Sequence, residues 1–192
     1  MNLKIKNLRL KKTKVDDLKR IEIKEFKKKK KRDVIIILDN LRSLNNVGSV
    51  FRTCDAFLIK KIYLVGITGS PPNKDIERTA LGATKSIEWE QVSCISKIEK
   101  KLKKDNWKIA LIEQTDKSTD LKDFFPKTKE KYAFVFGNEV FGVSEESLKC
   151  ADIAIEIPQF GTKHSFNVTV SMGIVLWDHF YKTTKAHKGM VA

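Results

Sequence analysis

Apolar residues come along this chain in short bursts separated by polar stretches. The first burst, VIIILDN at 34–40, is continuous and β-branched rather than alternating. A run of that length predicts a strand covered on both faces, as in a parallel sheet. Similar bursts at 61–66, 107–113, 132–137 and 152–158 predict four more strands, and SIEWEQV at 86–92 alternates like a sixth. Between them the period lengthens. A helix is expected over VGSVFRTCDAFL with Asn45 or Asn46 as its cap, and a short one over 75–81 stopping at Gly82, where a left-handed residue belongs. SKIEKKLKKD carries Ile95, Ile98 and Leu102 on one helical face, and another short helix is expected over 144–149. The last helix, 165–181, is apolar nearly all round, so one side of it could face another subunit. Strands alternating with helices predict an α/β fold: a mostly parallel six-stranded sheet with helices on both faces.

The N-terminal 32 residues break this pattern. Val15, Asp16, Leu18, Ile21, Ile23 and Phe26 predict a short docked helix over 16–26, with Asp16 as its cap, and 27–32 contains no apolar residue. The expected organisation is a basic arm, 1–32, a body, 33–182, and a C-terminal tail, 183–192. Charge sharpens the division. The chain carries a net +14, and the arm alone holds fifteen Lys and Arg against four Asp and Glu, a net of +11 that leaves the body nearly neutral. Such an arm suits a polyanion, because each phosphate it neutralises releases counterions. The 32 lysines against six arginines also fit compositional drift, so a solvated tail or a membrane-surface patch stays open for the arm.

Composition narrows the class further. With 41% hydrophobic residues the chain can bury a core, and no apolar run approaches the ~20 residues of a membrane span. Cys54, Cys94 and Cys150 are odd in number and show no CxxC spacing, which predicts reduced thiols in the cytoplasm rather than disulfides or a zinc site. No GxxxxGK[ST] loop or GxGxxG signals a nucleotide, and His164, His179 and His187 lack metal-ligand spacing.

Three polar clusters remain, each at the carboxyl end of a predicted strand, where open α/β sheets bind ligands. In Asn46-Val47-Gly48-Ser49-Val50-Phe51-Arg52, the arginine could clamp a phosphate that Gly48 lets approach closely; alone, the segment equally reads as a capped amphipathic helix. Gly137-Asn138-Glu139-Val140-Phe141-Gly142-Val143-Ser144 makes a tight loop able to touch a ligand, or an ordinary strand-to-helix link. In Ile157-Pro158-Gln159-Phe160-Gly161-Thr162-Lys163-His164-Ser165-Phe166-Asn167, Ser165 could serve as the cap of the last helix, whereas Asn167 two residues later is harder to explain as capping.

In order, NxGxxxR, GNExxGxS and IPxxGxxxSxN resemble the three motifs of the SpoU-like (TrmH-like) branch of the SPOUT superfamily of RNA ribose methyltransferases. The likeness spans residues 34–181. It implies a C-terminal deep trefoil knot whose loops bind S-adenosyl-L-methionine, a homodimer packed through the knot and last helix, and methylation of a ribose 2′-hydroxyl in structured RNA, tRNA or rRNA. Carried over by motif position, Arg52, Asn46, Glu139, Ser165 and Asn167 form the catalytic set. Gly137, Ile157, Ser165 and Phe166 contact the cofactor, with Glu113 or Gln114 near the adenine. Because an arginine side chain stays protonated in proteins, Arg52 is expected to hold a phosphate and steady the developing alkoxide rather than act as base. Asn46 and Asn167 would orient ribose and loops, Glu139 would brace Arg52 or Asn46, and Ser165 would position the cofactor. Phe166 stands where the family usually has leucine, which alters the pocket's shape. The arm would replace the separate RNA-binding domain that many relatives carry. The alternatives are a non-catalytic RNA-binding or assembly protein on the same fold, and a hydrolase using Ser165 and His164, which lacks a nucleophile elbow.

Overall fold

The computed structural model describes residues 11–14, 20–127 and 129–186. Its strands are β1 (Val34–Asp39), β2 (Lys61–Val65), β3 (Glu88–Val92), β4 (Trp107–Ile112), β5 (Thr119–Asp120), β6 (Lys131–Phe136) and β7 (Ile153–Glu156). They form one seven-stranded sheet in the order β3-β2-β1-β6-β4-β7-β5, and every pairing between them is parallel. All six expected strands are present. The seventh, β5, is only two residues long and contains neither alternation nor a β-branched run, so periodicity offers no sign of it; pairing with Ile155 and Glu156 of β7 makes it a strand.

The continuous apolar run of β1 is explained by two covered faces. Val34, Ile36 and Leu38 enter one core while Ile35 and Ile37 enter the other. The first core lies under α1 (Ile23–Lys28), α2 (Leu44–Ala56), α3 (Lys74–Ala80), α4 (Ala83–Ser86) and α7 (Val168–Ala186). The second lies under α5 (Ser96–Lys104) and α6 (Glu145–Cys150), with Ile95, Ile98 and Leu102 buried as the helical spacing requires. Each fully buried side chain such as Ile36 or Phe134 contributes roughly 1.5–3 kcal/mol.

Several helix boundaries differ from expectation, for reasons of capping. Helix α2 begins at Leu44 because Ser43, rather than Asn45 or Asn46, accepts the Asn46 N–H. Helix α3 is capped by Asn73 and turns left-handed already at Leu81, one residue before Gly82. Helix α7 begins at Val168, not 165, and continues past Tyr181 to Ala186, beyond the 182/183 boundary expected from sequence. In the arm, α1 extends into the lysine run through Lys28, anchored by Phe26, which is buried in the main core. The expected cap at Asp16 and the helix over 16–19 lie outside the described residues. Gly48 serves packing: a Cβ there would lie 2.1 Å from Thr79 Oγ1 and 2.2 Å from the Ile76 carbonyl oxygen, so the close approach is to α3. Among the described residues no helix is long and apolar enough to cross a membrane.

The order of the sheet positions the site. After β1 the chain moves outward through β2 and β3, then returns to the other side of β1, where β6 inserts between β1 and β4. Chain order therefore reverses between β1 and β6, and the cleft lies beside this point, above the carboxyl ends of β4, β6 and β7.

Candidate active site

Asp39, at the end of β1, is buried and organises the loops above it. Its carboxylate accepts hydrogen bonds from the Ser144 N–H and Ser147 hydroxyl, both at 2.7 Å, and from the Asn40 side chain at 2.8 Å. The loop after β6 is thereby tied to β1 across more than a hundred residues of sequence. Asn138 adds a second tie: its side-chain N–H donates to the Asn40 carbonyl at 2.7 Å, while its Oδ1 accepts from the Val140 and Phe141 N–H groups. Neither Asp39 nor Asn138 was assigned a role from sequence. Asn138 sat inside a recognised motif, and Asp39 was visible only as a lone acid closing an apolar run.

The turn at 137–143 is tight enough to demand glycine. A Cβ on Gly137 would fall 2.2–2.4 Å from Gly142 and Val143 backbone atoms. Gly142 has φ +68°, and a Cβ there would meet Glu113 Oε2 at 2.3 Å. Both Glu113 carboxylate oxygens are engaged, Oε2 by the Val143 N–H and Oε1 by the Gln114 N–H. Glu113 thus fastens the end of β4 to this turn.

Above β4, β6 and β7 these loops enclose a cleft of about 350 Å³. Glu113, Gln114, Gly137, Glu139, Ile157, Ser165, Phe166 and Asn167 all line it, so eight of the ten residues singled out from sequence converge on one cavity. Apolar walls come from Ile112, Phe136 and Val168, and polar atoms from Asn138, Gln159 and Ser171. The loop after β7 is held by long contacts from the Gln114 and Gln159 side chains to the His164 carbonyl, at 3.5 and 3.4 Å.

The remaining two, Asn46 and Arg52, come from α2. The Asn46 side chain links the three motifs: its Nδ2 donates to Glu139 Oε1 at 3.0 Å, and its Oδ1 accepts from Asn167 Nδ2 at a long 3.4 Å. Glu139 also accepts from the Ser43 and Arg42 backbone N–H groups, both at 3.1 Å. Burial pushes the Glu139 carboxyl up, but the hydrogen bonds from its own N–H, Arg42, Asn46 and Ser43 outweigh it and hold the group below the usual glutamate range. Of the two partners expected for Glu139, the recorded bond is therefore to Asn46. Arg52 does not line the main cleft. It is exposed and borders a shallow depression with Ser49, Thr53, Thr169 and Val170, two and three residues beyond Asn167.

Capping of α7 falls to Asn167 rather than Ser165. Asn167 Oδ1 accepts from the Thr169 N–H at 2.9 Å and its hydroxyl at 2.6 Å, and its carbonyl accepts the Ser171 N–H. Ser165 is left outside the helix, exposed on the rim of the cleft.

A parallel sheet with a cleft built from loops at 113, 137–144 and 157–167 is the architecture of the SpoU/TrmH type of RNA-modifying protein. The chain superimposes on the Aquifex aeolicus TrmH/SpoU tRNA modifying enzyme with a TM-score of 0.75 and 27% identity, over 86% of this chain and 82% of that one. Residues 33–177 match the SpoU rRNA Methylase family, and the chain belongs to it. Among relatives, the tRNA (guanosine(18)-2′-O)-methyltransferase of Aquifex aeolicus is 31% identical over 88% of this chain and 77% of its own length. The protein of the same name from Thermus thermophilus is 28% identical, covering 88% and 86%. An AdoMet-bound rRNA methyltransferase from Sinorhizobium meliloti shares the fold at a TM-score of 0.73 and 24% identity, over 79% of this chain and 57% of that one.

Proposed function

We propose that this protein is an S-adenosylmethionine-dependent RNA methyltransferase that modifies a ribose 2′-hydroxyl in tRNA or rRNA. The observation that carries the reading is the hydrogen-bonded line Asn167–Asn46–Glu139, which joins the three separate motifs at the edge of one cleft. The cleft suits the cofactor on its own terms. Its volume lies in the small-ligand range of ~300–1,000 Å³. Apolar walls at Ile112, Ile157 and Phe166 match a flat heteroaromatic ring, and the polar side chains of Gln114, Gln159 and Ser171 match a charged tail.

When bound, S-adenosylmethionine supplies an electrophilic methyl group on a sulfonium. The protein's task is then alignment and stabilisation of charge. Gly137, Ile157, Ser165 and Phe166 form the cofactor wall. Glu113 positions the 142–143 turn, while Gln114 lines the cleft with its amide N–H in long contact with the His164 carbonyl. Arg52, one helix face away from Asn46, holds the phosphate beside the target ribose and stabilises negative charge developing on its 2′-oxygen. Asn46 and Asn167 orient the sugar, and Glu139 fixes Asn46.

The same reading includes a knotted C-terminus and a homodimer in the cytoplasm. In support of the knot, β7 lies between β4 and β5 although it follows both in sequence, and Lys182 on α7 donates to the carbonyls of Leu121 and Phe124 in the β5–β6 segment. In support of the dimer, α7 buries Val168, Met172, Val175 and Leu176 but leaves Val170, Ile174 and Trp177 exposed on its other side. The three cysteines are unpaired, with Cys54 and Cys150 buried.

Incubation with methyl-labelled S-adenosylmethionine and unmodified tRNA or rRNA, followed by mass-spectrometric mapping, tests the reading. Label at a ribose 2′-oxygen is expected. Cofactor binding without transfer to any RNA would favour the non-catalytic RNA-binding alternative.

A further inference from the structure

A second recess, of about 800 Å³, lies at the opposite edge of the sheet, where β1, β2 and β3 begin. Phe26 creates one wall of it. By burying in the main core it docks α1 beside α4 and holds the following lysines along the opening. Lys27, Lys30 and Lys31 line the recess together with Lys60, Lys85 and Trp89. Lys31 is fixed in place: its ammonium donates to the Phe26 carbonyl and sits over the Phe26 ring.

The acids around this recess are already engaged. Asp33 pairs with Lys60 at 3.8 Å, Glu88 with Lys61 at 3.1 Å, and Asp55 accepts the Ser86 hydroxyl at 2.5 Å. Lys27, Lys30 and Lys85 are exposed and make no ion pair with a carboxylate among the described residues. Burial lowers the Lys31 ammonium from its ordinary range, with Asp55 opposing the fall and Lys29 adding to it. Positive charge is thus in excess here: five lysines line the recess against two carboxylates, Asp33 and Glu88.

We propose that this recess is a binding site for RNA phosphates, remote from the reacting nucleotide, and that it grips the RNA whose ribose enters the cleft. The inference rests on the methyltransferase reading for the second half of that statement only. In a parallel sheet the starts and ends of strands lie on opposite edges. The six residues of β1 separate recess and cleft by about 20 Å at ~3.3 Å per residue. An RNA that occupies both must reach from the starts of the strands to their ends, and the recess then grips the backbone while leaving the base in the cleft unread. Lysines lining a concavity suit a nucleic-acid strand better than the flat surface of an anionic bilayer.

The test compares full-length wild type with K30Q/K60Q/K85Q and with a control, K97Q/K100Q/K104Q, on the exposed side of α5. Unmodified tRNA transcript and phosphatidylglycerol vesicles are the probes, with filter binding of the tRNA between 50 and 200 mM salt, co-sedimentation with the vesicles, and calorimetric titration of S-adenosylmethionine. The recess variant should bind tRNA at least about tenfold more weakly. Its log-affinity against log-salt slope should be shallower by about two, since each lost phosphate contact removes ~0.7–0.9. Its affinity for S-adenosylmethionine should match wild type. Equal tRNA affinity and slope in the recess and control variants would overturn the proposal. So would a loss seen only with phosphatidylglycerol vesicles. If wild type binds tRNA but transfers no methyl to RNA, the catalytic reading falls while the binding data still decide the recess.

Discussion

The Asn46 side chain donates to Glu139 Oε1 at 3.0 Å across 93 residues of sequence. That bond fixes the start of α2 against the loop after β6, and the two Arg42 and Ser43 N–H bonds to the same carboxylate reinforce it. The Glu139 pKa is lower folded than unfolded, so its contribution to stability is present above ~4.3 and is lost as pH falls through the folded value. Because the side chain is open to solvent, that contribution is about 1 kcal/mol or less. Urea unfolding of wild type and Glu139→Gln should therefore differ more at pH 6 than at pH 3.5. A difference independent of pH would contradict this origin.

Arg52 lies outside the main cleft, so the proposed function predicts that cofactor binding and turnover separate at this residue. Arg52→Ala should leave the S-adenosylmethionine Kd within about twofold and lower kcat by ~10²–10³, the scale of losing one preorganised charge. Calorimetric titration beside single-turnover methylation checks it. Lost cofactor affinity with normal turnover would remove Arg52 from this role.

Gly137 faces the backbone of Gly142 and Val143 at distances no Cβ tolerates. Gly137→Ala must open the turn, moving the loop away from the Val143 N–H bond to Glu113. We expect destabilisation of about 1–3 kcal/mol in chemical denaturation and loss of measurable S-adenosylmethionine binding. A variant with wild-type cofactor affinity would show that the turn does not shape the cleft.

His179 is buried between the rings of Tyr132 and Phe134. Burial, with a smaller push from Arg32, brings its pKa down to about 4. The unfolded chain binds a proton near pH 6.5 and the folded protein does not until about 4, so stability rises with pH through that window. Over the whole window the change is about 3 kcal/mol. Thermal unfolding of His179→Phe should show a flatter dependence between pH 4 and 6.5 than wild type; equal slopes would mean that His179 is not the group responsible.

Local pattern sufficed for the six longer strands: a strand buried on both faces is apolar nearly throughout, as in β1, β2, β4 and β6, while the largely exposed β3 shows alternation instead. The four central strands, β1, β2, β4 and β6, appear as runs that no helix period fits. The motifs were legible for a related reason: tight turns need glycine, and loop carboxylates and amides must sit at fixed offsets to satisfy backbone groups. Boundaries were less visible. Ser43 and Asn167 became caps, in place of Asn45 or Asn46 and Ser165, because the direction of the entering chain decides which side chain meets the free N–H groups.

The amino-acid sequence by itself determined a parallel α/β body, a basic arm and three polar clusters at strand ends, since each depends on residues close together along the chain. Only the tertiary structure decided that Asn46, Glu139 and Asn167 share one line of hydrogen bonds, that Arg52 stands beside rather than inside the cleft, and that the lysines after Phe26 line one recess with Lys60 and Lys85. Those relationships follow from the order in which strands enter the sheet. That order is set by burying all the apolar faces at once, a condition that no single segment carries.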